Sequence, residues 1–138
     1  MKKVKGLKKE SQNTVISLIN ILEEKNCKPV VARNYEDFPN FDNDLDLFVE
    51  NDSLIPNYFC SVAEELGWDN LAFCNHYSFF KNEIYNINSY RFLRLDHPQT
   101  LNVDLFGGFV LLGLPFRDKS SICKNRILEP KGRFYKME

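Results

Sequence analysis

The segment Asp44-Leu45-Asp46-Leu47-Phe48-Val49 constrains this chain more than any other, because it alternates acid and leucine and then becomes fully apolar. In a strand, residues i and i+2 leave the same face, so the alternation predicts leucines in a core and two carboxylates side by side on the opposite surface. Like charges that close repel and raise one another's proton affinity. Both stay ionised only where a cation lies between them or water screens them fully. The segment therefore reads either as half of a divalent-cation site or as an exposed strand end with two solvated aspartates.

A second strand-like segment bears on that choice. Asn102-Val103-Asp104-Leu105-Phe106 sets a single aspartate in an otherwise apolar run, with Val103 and Leu105 pointing one way and Asp104 the other. If it pairs beside residues 44–49, three carboxylates converge on one face. They would offer enough oxygens for two divalent ions, which bind the attacking and leaving oxygens of an in-line displacement at phosphorus. Magnesium suits such a site, since it accepts one or two carboxylates and fills its other positions with water and substrate phosphates.

The surrounding pattern is α+β. Val15, Leu18, Ile19 and Leu22 fall at the spacing of one buried helical stripe. A second helix is expected over residues 54–66, with Ser53 as its N-cap, Pro56 in its first turn and Gly67 as its stop. Residues 68–80, 84–95 and 100–106 are rich in aromatic and β-branched types and predict three sequential antiparallel strands. Gly107-Gly108 signals a turn after which residues 109–112 continue the sheet, and Pro130-Lys131-Gly132 is flanked by a terminal hairpin. The expected architecture is one domain over residues 1–138, a mixed β-sheet with helices packed on one face. Its N-terminal helix lies at about 9–26, the sheet at about 28–116 and a basic C-terminal hairpin at about 126–136.

Composition narrows the function classes. With 138 residues and 43% hydrophobic content, the chain supports one core. Its apolar runs fall well short of the roughly 18 residues of a membrane span, and its lysine-rich start lacks a signal-peptide apolar segment. A cytoplasmic protein without a membrane partner is expected. Cys27, Cys60, Cys74 and Cys123 form no C-x-x-C pair, so they read as small buried apolar residues rather than a zinc or disulfide framework. Net charge is −1. The lysines near the N-terminus and the basic excess after Leu114 read as solvated surface, and nucleic acid is not an expected partner. His76 and His97 read as structural, and Asn51-Asp52-Ser53 matches a glycosylation sequon without any sign of secretion.

The segment Val30-Val31-Ala32-Arg33-Asn34-Tyr35-Glu36-Asp37-Phe38-Pro39, the Asp44 to Val49 strand and the later Leu101 to Phe106 strand together resemble the nucleotidyltransferase superfamily that shares the DNA polymerase beta catalytic fold. The resemblance is in particular to small bacterial members linked to surface-polysaccharide and lipopolysaccharide gene clusters. In that family the first two acids bind both metals, and the third binds the catalytic metal and helps activate the acceptor hydroxyl. The resemblance thus implies Asp44 and Asp46 as the metal pair and Asp104 as the third ligand. It also implies Mg²⁺ or Mn²⁺ as cofactor, an NTP as donor and an acceptor the residues do not name.

The chain departs from the family at its phosphate-binding turn, where Gly-Ser, Gly-Gly or Arg-Gly is replaced by Arg33-Asn34. Asparagine tolerates a left-handed backbone but lacks glycine's close approach and the serine hydroxyl. Arg33, Asn34 and Arg94 are the expected nucleotide-binding residues, with Arg91 as a further phosphate partner, because an arginine fork holds phosphate oxygens bidentately. The same arginines equally suit salt bridges to the acidic loop. The related proteins continue into helices that help bind substrate. This chain, which stops at Glu138, is expected to be a piece of a longer protein or to complete its site by homodimerising or with a partner chain. The rival to an enzyme is a binding or regulatory domain that keeps the fold and the acids without turnover.

Overall fold

Helix α1 (Lys5–Glu24) buries the stripe the sequence predicts: Val15, Leu18, Ile19 and Leu22 are all in the core. Its end is set by Asn26, whose φ of 58° lets the chain turn left-handed. The Cys27 N–H then reaches Leu22 O at 2.8 Å and the Asn26 N–H reaches Glu23 O at 3.0 Å, which satisfies two carbonyls the helix leaves open. The computed structural model describes residues 5–41, 44–80, 83–95, 97–111 and 114–138. Lys2, Lys3, Asp42 and Asn82 lie outside the described residues, as do the side chains of His76, Tyr77, Phe79, Phe80, Tyr85 and His97.

Strands β1 (Val30–Val31) and β2 (Asp44–Phe48) are antiparallel neighbours. A short 3-10 turn, Asp52–Leu54, leads into α2 (Ile55–Glu65). Pro56 stands in the first turn of α2 as expected, but Ser53 is not its N-cap. Leu54 takes that position without a side-chain hydrogen bond. Gly67, at φ 76°, closes α2 in the same left-handed manner as Asn26 closes α1, with the Trp68 N–H on Ala63 O at 2.8 Å.

A meander of β3 (Asn70–Phe80), β4 (Glu83–Arg94) and β5 (His97–Phe106) follows, antiparallel throughout. Strand β5 then lies parallel against β2. This is the connection that matters, since a parallel pairing needs a long crossover, which α2, β3 and β4 supply. Strands β6 (Gly108–Leu111) and β7 (Leu114–Asp118) pair with each other as a separate two-stranded sheet. Residues 109–111 therefore do not extend the main sheet, contrary to expectation; Leu112 lies outside the described residues.

After β7 comes α3 (Lys119–Lys124), in a stretch the sequence presents as basic surface. Asp118 caps it, its carboxylate accepting from the Ser121 N–H at 2.7 Å. Strands β8 (Ile127–Leu128) and β9 (Tyr135–Lys136) form the expected terminal hairpin, and β9 joins β1 in parallel. Among the described residues the main sheet has seven strands, in the order β3-β4-β5-β2-β1-β9-β8.

Alternation divides the sheet into two faces. Val31, Leu45, Leu47, Val103 and Leu105 pack with α1 and α2 in the large core. Val30, Phe48, Ile122 and Cys123 form a smaller cluster on the other side, with Phe106 against it. Helix α3 thus covers one end of the face that carries the aspartates, so the helices are not confined to one face. Cys27 and Cys123 are buried as expected, whereas Cys60 and Cys74 are exposed, and burial pushes the Cys123 thiol up to about 12, which keeps it a neutral packing group.

Two arginines fasten the periphery. Arg126 pairs with Glu23, donates to Pro29 O at 3.2 Å and lies 3.8 Å over the Tyr135 ring, tying α3 and the hairpin to α1. Arg133 holds Glu129 well below the ordinary carboxylate value, at about 2, and donates to Phe38 O at 3.0 Å. With Phe38 and Phe134 in ring contact at 4.6 Å, the loop between β1 and β2 is fixed to the C-terminal hairpin. No described helix is long and apolar enough to cross a membrane.

Candidate functional site

The parallel pairing of β2 with β5 sets Asp46 opposite Asp104 and Asp44 opposite Asn102. Neighbouring strands lie about 4.8 Å apart, and all three aspartates leave the same face, because Leu45, Leu47, Val103 and Leu105 are buried on the other. The ladder continues outward. Asp104 pairs with Ser89 of β4, and Asn102 pairs with Arg91. Ser89 and Arg91 in turn oppose Cys74 and Ala72 of β3.

These rows floor an open cavity of about 420 Å³ lined by Asp44, Asp104, Asn102, Ser89, Arg91 and Cys74, among others. Within it Ser89 Oγ donates to Asp104 Oδ1 at 2.7 Å, and Arg91 Nε donates to Asn102 Oδ1 at 2.7 Å. The first bond fixes the rotamer of a carboxylate. The second aims a guanidinium across the cavity while leaving its terminal nitrogens for other acceptors.

Asp46 stands apart from Asp44 and Asp104 in one respect: its side chain is only 1% exposed. Arg33 Nε donates to its Oδ2, whereas Oδ1 is buried without a hydrogen-bond partner. The backbone explains the pairing, since Ala32 N–H bonds Asp46 O at 2.9 Å and carries the next residue, Arg33, directly beside the aspartate. Burial pushes the Asp46 carboxyl above its ordinary value. The Arg33 hydrogen bond pulls it back, and the charges of Asp104 and Asp44 push it up again. The hydrogen bond and charge of Asp46 hold Arg33 more firmly protonated.

The other expected nucleotide-binding residues fall elsewhere. Asn34 is exposed with φ 60°, the left-handed conformation its type tolerates, and it does not line the cavity. Arg94 is on the helix side of the sheet: it donates to Leu66 O at 3.2 Å, pairs with Glu10 at 3.2 Å and lies 5.5 Å over the Trp68 ring. It is a brace between α1, the end of α2 and β4, and Arg91 is the arginine on the cavity. Ser89 and Asn102 escaped the sequence reading, although Ser89 and Arg91, two apart on one strand, carry the same signal of a shared face.

The donors on this face are oxygens, the kind of ligand a hard divalent cation takes. Asp44 and Asp104 line the cavity; Asp46 leaves the same face of the sheet but does not line the cavity, and its Oδ1 is buried with no hydrogen-bond partner among the described residues. Among the described residues, no three carboxylate, imidazole or thiol side chains stand close enough to close a cage around one ion. An ion held here would complete its shell with water and phosphate oxygens, as magnesium does. The chain matches no protein family, no curated protein and no solved structure with which it was compared.

Proposed function

We propose that this protein is a metal-dependent phosphoryl-transfer enzyme of the nucleotidyltransferase class. More particularly, it moves a nucleoside monophosphate from an NTP to an acceptor hydroxyl. The observation that carries this reading is the register of Asp46 with Asp104, which sets carboxylates from two sequence-distant strands on one polar face beside a cavity. Like charges in register destabilise a strand pair unless a cation offsets them, and Arg33 offsets only one oxygen of Asp46.

In this reading Asp44, Asp46 and Asp104 would hold Mg²⁺ or Mn²⁺ in pairs, with water and phosphate oxygens completing each shell, and the metal would neutralise charge on the reacting phosphate. Arg91, aimed by Asn102, binds phosphate oxygens in the cavity. Asp104, oriented by Ser89, accepts the proton of the acceptor hydroxyl as its oxygen attacks the α-phosphorus. The new bond joins that oxygen to phosphorus, the bond to the β-phosphate breaks, and pyrophosphate leaves with the electron pair. The cavity opens to solvent and suits an acceptor presented by another molecule, including a second copy or a partner chain.

A second reading is favoured by one specific observation. Arg33, expected at the phosphates, is engaged with Asp46. A domain that binds nucleotide without turnover would retain the same face. Incubation with labelled NTPs, Mn²⁺ and a panel of sugar, lipid and protein acceptors separates the two. Label transfer by the wild type that is abolished by Asp44→Asn and by Asp104→Asn supports the enzyme, whereas transfer surviving both substitutions refutes the mechanism. NTP binding that raises the melting temperature with no transfer to any acceptor supports the binding domain.

A further inference from the structure

The two members of the Arg33–Asp46 pair differ sharply in exposure. The Asp46 side chain is 1% exposed and that of Arg33 is 67% exposed. The carboxylate is fixed within the sheet, while the arginine stem runs through solvent and loses little by moving. A buried carboxylate needs a counter-charge. Arg33 supplies it at Oδ2, and Oδ1 has no hydrogen-bond partner among the described residues.

A guanidinium and a divalent cation are alternative counter-charges for one carboxylate. Both held against it together, the cation on Oδ1 and the guanidinium on Oδ2, would repel each other across one carboxylate in a poorly solvated place. Cation binding at Asp46 therefore competes with Arg33. The competition is local, because the backbone at Ala32 is pinned to Asp46 O and only the side chain of Arg33 has to leave.

We propose that Arg33 is an exchangeable counter-ion: it neutralises Asp46 in the metal-free protein, yields that carboxylate to a divalent cation, and turns its guanidinium to the phosphate groups that arrive with the cation. This rests on the nucleotidyltransferase reading and specifies how that site loads. The exchange makes a bare cation a weak ligand, because binding must first break the ion pair. A cation carried by a nucleotide recovers the loss, because the released fork gains phosphate oxygens as acceptors. Arg33 thereby makes the site selective for the metal–nucleotide complex over the free ion. It also reconciles the sequence reading of Arg33 as a phosphate ligand with its place on Asp46.

The test titrates the full chain with Mn²⁺, reading free ion by electron paramagnetic resonance, with and without a non-hydrolysable NTP analogue. Wild type is compared with Arg33→Ala and Arg33→Lys. The expected result is a crossed effect. Arg33→Ala binds Mn²⁺ alone about fivefold or more tighter and the Mn²⁺–analogue complex weaker by a similar factor, within the ~5–150-fold span of such couplings. Arg33→Lys, which keeps the charge but not the fork, falls between.

Equal Mn²⁺ affinity in wild type and Arg33→Ala, or two constants that move in the same direction, overturns the exchange and leaves the proposed activity standing. No Mn²⁺ binding by wild type or variant, with or without the analogue, overturns both. If Arg33→Ala does not fold, the wild-type Arg33 Nε–H resonance decides. It shifts on adding Mg²⁺ with the analogue if the exchange occurs, and an unchanged resonance at saturation overturns it.

Discussion

Ser89 on β4 donates a 2.7 Å hydrogen bond to Asp104 on β5, from the position directly opposite it in the ladder. The bond holds one oxygen of the proposed proton acceptor and leaves the other to the cavity. Removing it frees the carboxylate to rotate without altering its charge. Ser89→Ala should lower the transfer rate about tenfold, since a hydrogen bond to a charged group is worth about 1.5–3 kcal/mol when fully lost. The fold should survive, as Ser89 is half-buried and its strand is paired on both sides. Initial rates and circular dichroism of the variant check this, and Ser89→Thr should retain most of the rate.

The buried Asp46 makes a separate prediction about stability and pH. Its carboxyl is raised in the folded chain, chiefly by burial, so the native state binds this proton more tightly than the unfolded state does. Stability is then lost as pH rises from the ordinary aspartate value through the raised one. Asp46→Asn removes the ionisation but keeps the shape and an acceptor for Arg33. The variant should melt a few degrees higher than wild type at neutral pH, the shift expected for about 1 kcal/mol in a domain this size. The difference should shrink toward acid pH, where both carry a neutral side chain. Thermal melts of both proteins from about pH 4 to about pH 8 test the sign, and Mn²⁺ binding should be lost in the more stable variant.

Arg91 and Arg94 should separate binding from stability. Arg91→Ala removes the guanidinium on the cavity and should weaken nucleotide binding about tenfold while leaving the melting temperature nearly unchanged, because Arg91 is exposed. Arg94→Ala loses the Leu66 carbonyl contact, the Glu10 pair and the cover over Trp68. It should cost about 1–2 kcal/mol in urea denaturation and leave nucleotide affinity alone. Equilibrium binding of a fluorescent NTP analogue to the two variants decides between them.

What the sequence revealed and what it hid follow from the range of the interactions concerned. Alternation is local, so the shared face of Asp44 and Asp46 and the inward turn of Val103 and Leu105 were legible from spacing alone. The stripe of α1 was legible for the same reason. That β5 lies parallel to β2 is a long-range fact with no local signature; the aspartates announce a common face only once the strands are neighbours. The Arg33–Asp46 contact depends on β1 continuing beside β2 through Ala32, which no spacing encodes. Arg94 lies away from the cavity for a reason that is local. It stands three residues from Arg91, so the alternation that grouped the aspartates already separates the two arginines onto opposite faces. Helix α3 has only six residues, too few turns to show a stripe, and its start is marked by the Asp118 cap amid a basic run. An apolar run such as residues 108–111 reads the same whether it extends one sheet or begins another.

The smaller core supplies the last prediction, because it joins α3 to the face that carries the aspartates. Phe48 is two residues beyond Asp46 on β2, 2% exposed, with its ring 5.9 Å from that of Phe106. Ile122 and Cys123 of α3 close over it. Phe48→Ala would leave a void that a six-residue helix cannot fill without moving, and large-to-small changes of this kind cost about 3–5 kcal/mol. The loss should fall first on α3. Its amides should exchange with solvent faster in the variant, while those of α1, packed on the opposite face, change only with global stability. Because Phe48 fixes the end of the strand on which Asp46 is held, the variant should also bind Mn²⁺ more weakly, even at temperatures where it remains folded. Hydrogen exchange and Mn²⁺ titration on one preparation test both parts. Unchanged α3 exchange would show that the small core does not anchor that helix.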